Sequence, residues 1–123
     1  MTWKVRGVRG ATTVENNSSE EIIEESKNLL MEMLKKNNVP IEEICSIFFT
    51  VTPDLDKEFP AKAARLAGLV STPLLCMTEI PVECEVKKCI RILIHLNTEK
   101  KQDEMIHIYL KDAQKLRPDL SRK

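Results

Sequence analysis

The sequence predicts an α/β domain: a mixed sheet of about five strands with one long and one short helix. Three observations carry this reading. The run Cys-Ile-Arg-Ile-Leu-Ile-His-Leu (Cys89 to Leu96) has strand length and strand composition, with Ile90, Ile92, Ile94 and Leu96 on one face and Cys89, Arg91, Leu93 and His95 on the other. Between residues 22 and 34, Ile22, Ile23, Ser26, Leu29, Leu30, Met33 and Leu34 recur at helical spacing with Glu and Lys between them. The chain has 123 residues, 42% hydrophobic and 31% charged, which suits one domain over 1–123 with a single core.

Taken in order, Trp3 to Arg9 carries Trp3, Val5 and Val8 in imperfect alternation and reads as a first strand ending in Gly7-Val8-Arg9-Gly10, so that Arg9 stands at a strand end. Ser18-x-x-Glu21 is a capping box, and the helix it opens runs to about Asn37. Ile44 to Val51 is a second strand, stopped by Thr52-Pro53-Asp54 with Pro where a type I turn favours it. Pro60 opens a short helix, Ala61 to Ala67, and Gly68 is placed to end it in the left-handed conformation. Leu74 to Glu79 is a third strand, Cys89 to Leu96 the fourth and Met105 to Tyr109 the fifth; the tail from Lys111 to Lys123 is polar, with one short helical turn at most.

Strands two and four are apolar on both faces or nearly so, yet two helices cover only one face of such a sheet. The other face calls for a second molecule, so a homo-oligomer is expected, with sites near the seams where strand ends of neighbours meet.

Net charge is zero, from 19 basic and 19 acidic residues, and no broad field recommends nucleic acid or an anionic membrane as partner. Aromatic content of 4% leaves little for stacking bases. The opening Met-Thr-Trp-Lys-Val-Arg-Gly has no apolar stretch of signal-peptide length, and no run approaches the roughly 18 apolar residues that cross a bilayer, so a cytoplasmic chain is expected. Cys45, Cys76, Cys84 and Cys89 contain no C-x-x-C pair and suit reduced thiols. Cys84, Cys89, His95 and His107 match no zinc spacing, and neither metal nor cofactor is expected. Phosphate loops, dinucleotide fingerprints and triad motifs are absent.

What remains is a set of arginines: Arg9, Arg65, Arg91 and Arg117. A guanidinium in the middle of an apolar strand is costly unless an anion meets it, so Arg91 is either half of a structural ion pair or a ligand contact. Planar guanidinium groups match carboxylates bidentately, and several on a neutral chain suggest a small di- or tricarboxylate ligand. Glu79, at the end of an apolar strand, either pairs with an arginine or accepts from a ligand hydroxyl. Tyr109, the only tyrosine, is core or reaches a carboxylate with its hydroxyl.

Six segments resemble one family: Arg-Gly-Val-Arg-Gly-Ala-Thr-Thr-Val-Glu (6 to 15), Thr-Pro-Asp-Leu (52 to 55), Phe-Pro-Ala-Lys-Ala-Ala-Arg (59 to 65), Cys-Met-Thr-Glu (76 to 79), Lys-Lys-Cys-Ile-Arg (87 to 91) and Leu-Arg-Pro-Asp-Leu (116 to 120). In order and spacing they resemble the monofunctional, trimeric chorismate mutases of the α/β type found in Bacillus, as opposed to the all-helical class. Glu83-Cys84-Glu85 departs from that pattern, which has a glycine-containing turn there.

The resemblance implies a trimeric pseudo-α/β barrel with three sites at subunit interfaces, converting chorismate to prephenate in aromatic amino acid biosynthesis. It implies that Arg91 bonds the ether oxygen and a carboxylate, Arg9 the enolpyruvyl carboxylate, and Glu79 with Cys76 the ring hydroxyl. Tyr109 would meet a carboxylate, Phe59, Leu74 and Leu75 would wall the pocket, and Met77 and Thr78 would bind substrate beside them. Lys62, Arg65, Leu116 and Arg117 would lie around the mouth. A non-catalytic trimeric module that binds a small carboxylate is the alternative, and a trimeric enamine or imine hydrolase a third; the hydrolase would want an activated water, for which only Glu79 offers a base. If both Cys76 and Glu79 touch substrate, strict alternation requires a bend or bulge between them.

Overall fold

The computed structural model describes residues 2–83 and 86–119. Cys84 and Glu85 of the departing loop, and the tail from residue 120, lie outside the described residues. The elements are β1 (Lys4–Thr13), α1 (Ser19–Lys36), β2 (Ile44–Val51), α2 (Ala61–Leu66), β3 (Leu74–Thr78), β4 (Cys89–Thr98) and β5 (Ile108–Tyr109), with short 3-10 turns at Ile41–Glu43, Gln102–Glu104 and Lys111–Lys115. They form one five-stranded mixed sheet in the order β3-β2-β4-β1-β5. β4 is antiparallel to both neighbours, whereas β3 runs parallel to β2 and β5 parallel to β1.

α1 begins after Ser18, whose side chain accepts from the Glu21 backbone N–H. The reciprocal half of the expected capping box is not formed, because the Glu21 carboxylate accepts the N–H groups of Glu15 and Asn16 at 3.1 and 2.8 Å while the Ser18 N–H donates to the Asn16 carbonyl. Its buried stripe of Ile22, Ser26, Leu29, Leu30, Met33 and Leu34 lies on the sheet. α2 packs beside it, and Gly68 follows with φ 101°, the conformation glycine adopts at least cost. Both helices cover the same side. Ile92, Ile94 and Leu96 of β4, Ile47 and Phe49 of β2 and Val8 of β1 join Leu29, Leu30, Met33, Ala61 and Ala64 in one buried core. Burying each such Leu or Ile stabilises the fold by about 1.5–3 kcal/mol.

The opposite side of the sheet is open over much of its area. Val5, Leu75, Met77 and Leu93 are exposed there, as the count of helices against strand faces anticipates. Among the described residues one end is covered, where the Lys111–Lys115 turn lays Ala113 over Ala11 and Tyr109.

The short helix and the third strand each end one residue earlier than read, at Leu66 and Thr78, and three strands differ more. β1 runs on to Thr13, so Arg9 lies within the strand, opposite Leu93, and not at its end. Gly10 does not break the strand; it admits α1, for a Cβ there would stand 2.4 Å from Met33 Sδ and 3.1 Å from Leu29 Cδ1. β4 extends two residues further than expected, to Thr98. β5 shrinks to Ile108–Tyr109 because two side chains take the backbone groups that would have laddered. Asn37, buried at the end of α1, donates from Nδ2 to the carbonyls of Met33 and Ile106 at 2.8 and 2.9 Å and accepts the Ile106 N–H at 2.8 Å. His107 Nδ1 accepts the Arg9 N–H at 2.9 Å.

Candidate active site

Register fixes which side chains share the open face. Thr50 of β2 pairs with Arg91 of β4, Arg91 with Ala11 of β1, and Ala11 with Tyr109 of β5. Paired residues point to the same side of a sheet, so these four form a row across four strands, each about 4.8 Å from the next. Arg9 lies one pleat along on the same face, opposite Leu93, which in turn faces Phe48.

Glu79 enters the row from the end of β3. Its N–H donates to the Val51 carbonyl at 2.8 Å, continuing the β3 ladder by one residue. Its carboxylate accepts from the Thr50 hydroxyl and lies 3.6 Å from Arg91 Nε, oxygen Oε2 serving both. Arg91 therefore does meet an anion. The strand around it is not sealed, however: 43% of its side-chain surface remains open to solvent, against 27% for Glu79. The anticipated cost of a buried guanidinium is relieved by the uncovered face as much as by the partner.

Beside the pair lies a cleft of about 580 Å³, bordered by Arg91, Glu79, Cys89 and Leu116, with Thr52, Pro53 and Asp54 on one flank and Ile80, Pro81, Val82 and Val86 on another. That size suits a small organic ligand, and mostly apolar walls around a few convergent charges are usual for such sites. Thr52 and Asp54 hold the start of β4 in place: Cys89 N–H donates to Thr52 Oγ1 at 2.9 Å and Lys88 N–H to Asp54 Oδ2 at 3.0 Å.

Tyr109 is buried against Ala11, Cys89, Ala113, Val86 and Leu116. Arg117 is paired with Asp119 through two hydrogen bonds of 3.1 and 2.9 Å, and the Asp119 carboxylate raises its pKa. His107 is held below its usual pKa, first by burial and then by the charges of Arg9 and Arg117. Arg6 points to the other face and donates to the Lys100 carbonyl at 3.0 Å.

The remaining candidates gather elsewhere. Phe59 is 66% exposed just before α2; Lys62 pairs with Glu58 at 3.7 Å; Arg65 lies exposed in the last turn. In β3, Leu74, Cys76 and Thr78 share the helix side with Ile47, Phe49 and Val51, while Leu75 and Met77 share the open side with Phe48 and Thr50. No bulge interrupts β3, so Cys76 and Glu79 lie on opposite sides of the sheet. Burial raises the Cys76 pKa, opposed by a hydrogen bond from the Ala61 backbone and by the Arg65 charge. One chain thus brings together Arg91, Glu79, Arg9, Tyr109, Leu116 and Arg117, and separately Phe59, Lys62, Arg65, Leu74 and Cys76.

Sequence reading missed Thr50, although period-two alternation in β2 already put it on the face opposite Phe49. It weighed His107 only as a metal ligand. The cleft's second wall, Ile80 to Val82, carried no signal beyond two exposed apolar residues around a proline.

Fold and cleft together define an open-faced α/β protein whose candidate site offers fixed positive charge to a small anionic ligand. Residues 5–120 match the family described as chorismate mutase type I, and the chain belongs to that family. It is 43% identical over 118 residues to chorismate mutase AroH of Bacillus subtilis, spanning 95% of this chain and 93% of that one. Against chorismate mutase AroH of Thermus thermophilus it is 45% identical over 117 residues, spanning 94% and 96%. Among solved structures, a chorismate mutase from Clostridium thermocellum superimposes with a TM-score of 0.86 at 49% identity, covering 88% of this chain and 96% of the other.

Proposed function

We propose that this chain is a chorismate mutase that converts chorismate to prephenate by an intramolecular Claisen rearrangement, as a cytoplasmic homotrimer of single-domain subunits serving aromatic amino acid biosynthesis. The observation that carries the reading is the Arg91–Glu79 pair, half-open beside a cleft of about 580 Å³ in a chain of this family.

In this reaction one C–O bond breaks as one C–C bond forms within the same molecule, and no proton changes place. The site need only hold the two arms of the substrate in the compact reactive conformer and place positive charge where the ether oxygen gains electron density. Arg91 is suited to this. Glu79 engages its Nε, leaving the terminal N–H groups of the guanidinium for the ether oxygen and a carboxylate. Arg9, on the same face, is assigned the enolpyruvyl carboxylate, Glu79 the ring hydroxyl, and Tyr109 a carboxylate near the covered end.

The division of candidate residues supports assembly from copies. Phe59, Lys62, Arg65, Leu74, Leu75 and Cys76 belong to the β3 edge and α2, and a neighbour's β3 edge would bring them to the cleft of the first copy. The exposed apolar residues of the open face, Val5, Leu75, Met77 and Leu93, are what such a seam would bury. No helix among the described residues is long and apolar enough to cross a membrane.

The test is direct. Purified protein is mixed with chorismate without added metal or cofactor, and loss of chorismate and appearance of prephenate are followed together with the mass in sedimentation. Turnover by a particle three times the chain mass is expected. Calorimetric binding of chorismate without turnover would replace the enzyme by a carboxylate-binding module.

A further inference from the structure

We infer that Thr50 is a positioning residue of this site: its hydroxyl clamps the Glu79 carboxylate and thereby fixes how much of the Arg91 charge faces the ligand. The inference rests on the reading of the cleft as a site of chorismate rearrangement.

Thr50 stands opposite Arg91 in the β2–β4 register, and its Oγ1 donates to Glu79 Oε2. The same oxygen lies 3.6 Å from Arg91 Nε. One carboxylate oxygen thus takes the hydrogen bond from Thr50 and faces Arg91 in the ion pair, and Oε1 is left to accept from a ligand hydroxyl. A carboxylate without this clamp is free to turn both oxygens onto the guanidinium, because the two groups match as parallel pairs of hydrogen bonds. Arg91 would then spend its terminal N–H groups on Glu79. The charge intended for the ether oxygen would be neutralised at the moment it is needed, while ground-state affinity, shared among other contacts, would change little.

Thr50→Val keeps the shape and β-branching of the side chain and removes only the hydroxyl, and Thr50→Ala serves as a second hydroxyl-free variant should the first fail to fold. The full-length protein, Thr50→Val, Thr50→Ser, Glu79→Gln and Thr50→Val/Glu79→Gln are compared for kcat, KM and unfolding midpoint. A hydrogen bond to a charged group predicts a roughly tenfold fall in kcat for Thr50→Val, with KM and midpoint unchanged. Thr50→Ser is expected within about twofold of the parent, and the valine is expected to add no loss in the Glu79→Gln background. Unchanged kcat in Thr50→Val, failure of serine to restore it, or an equal loss on top of Glu79→Gln would each overturn the inference while the parent still turns chorismate over. A parent without turnover would instead remove the functional reading, and the inference with it.

Discussion

His107 Nδ1 accepts the backbone N–H of Arg9 at 2.9 Å, so a titrating ring completes the seam between β1 and β5. Burial and the nearby Arg9 and Arg117 charges hold this ring below its usual pKa of 6.5. The folded state therefore prefers neutral His107, and the unfolded state takes up the proton first as pH falls. This stabilisation is fully present above about 6.5 and is lost as pH falls from there through the lower folded value. Denaturant midpoints measured from pH 7.5 downward should decline in that window. His107→Gln, which keeps an acceptor without a titration there, should flatten the slope.

Arg91 is half exposed, so removing it should leave the chain folded. Arg91→Ala is expected to lower kcat by about 10²–10³, the loss seen when one preorganised donor to a developing oxyanion is removed. Arg91→Lys keeps the charge but not the planar fork and should recover only part of it. A folded Arg91→Ala protein with undiminished kcat in a chorismate assay would remove the assigned role.

Between about pH 7 and 9 the chemical step should be nearly flat, since no group is asked to transfer a proton. A bell-shaped kcat profile in that range would point to acid–base chemistry and away from a rearrangement.

Asn37, itself buried, ties the end of α1 to the segment before β5 through two hydrogen bonds with the Ile106 backbone, and a third goes to the Met33 carbonyl within α1. Asn37→Ala strands the N–H and carbonyl of Ile106, at a cost of about 2–3 kcal/mol. A corresponding drop in the unfolding free energy from urea titration is expected, and a change below about 0.5 kcal/mol would show that water replaces the side chain.

Gly10→Ala places a Cβ against Met33 and Leu29, both fully buried, and should destabilise by about 1–3 kcal/mol as α1 is pushed from the sheet. Gly7 is the internal control. A Cβ there meets Leu93, His95 and the Ile94 carbonyl oxygen at 3.7, 3.8 and 4.0 Å, ordinary contacts, so Gly7→Ala should leave the chain's own fold stability within about 0.5 kcal/mol.

Local patterns made α1, β2 and the two faces of β4 legible in the sequence, because a capping box, helical spacing and period-two alternation are written over neighbouring residues. β1 was cut short because Gly10 reads as a breaker when its partner is unknown; its reason is Met33, more than twenty positions away. β5 was read too long because the side chains that take its backbone partners, Asn37 and the ring of His107, act across the fold and leave no local mark. Arg91 stood out by being misplaced among apolar neighbours. Thr50 did not, since a threonine in a strand is unremarkable until register puts a carboxylate above it. The family resemblance, carried by six short segments, reached the same residues by a different route.

The pairing of Arg91 with Glu79 sets a cation and an anion side by side at the border of the cleft. Simple inorganic anions such as chloride gain little by settling there, having nothing to offer the carboxylate. On the proposed function, a molecule carrying both an acid and an alcohol would satisfy both halves at once. Discrimination against the ionic background of the cell would then rest on this one contact.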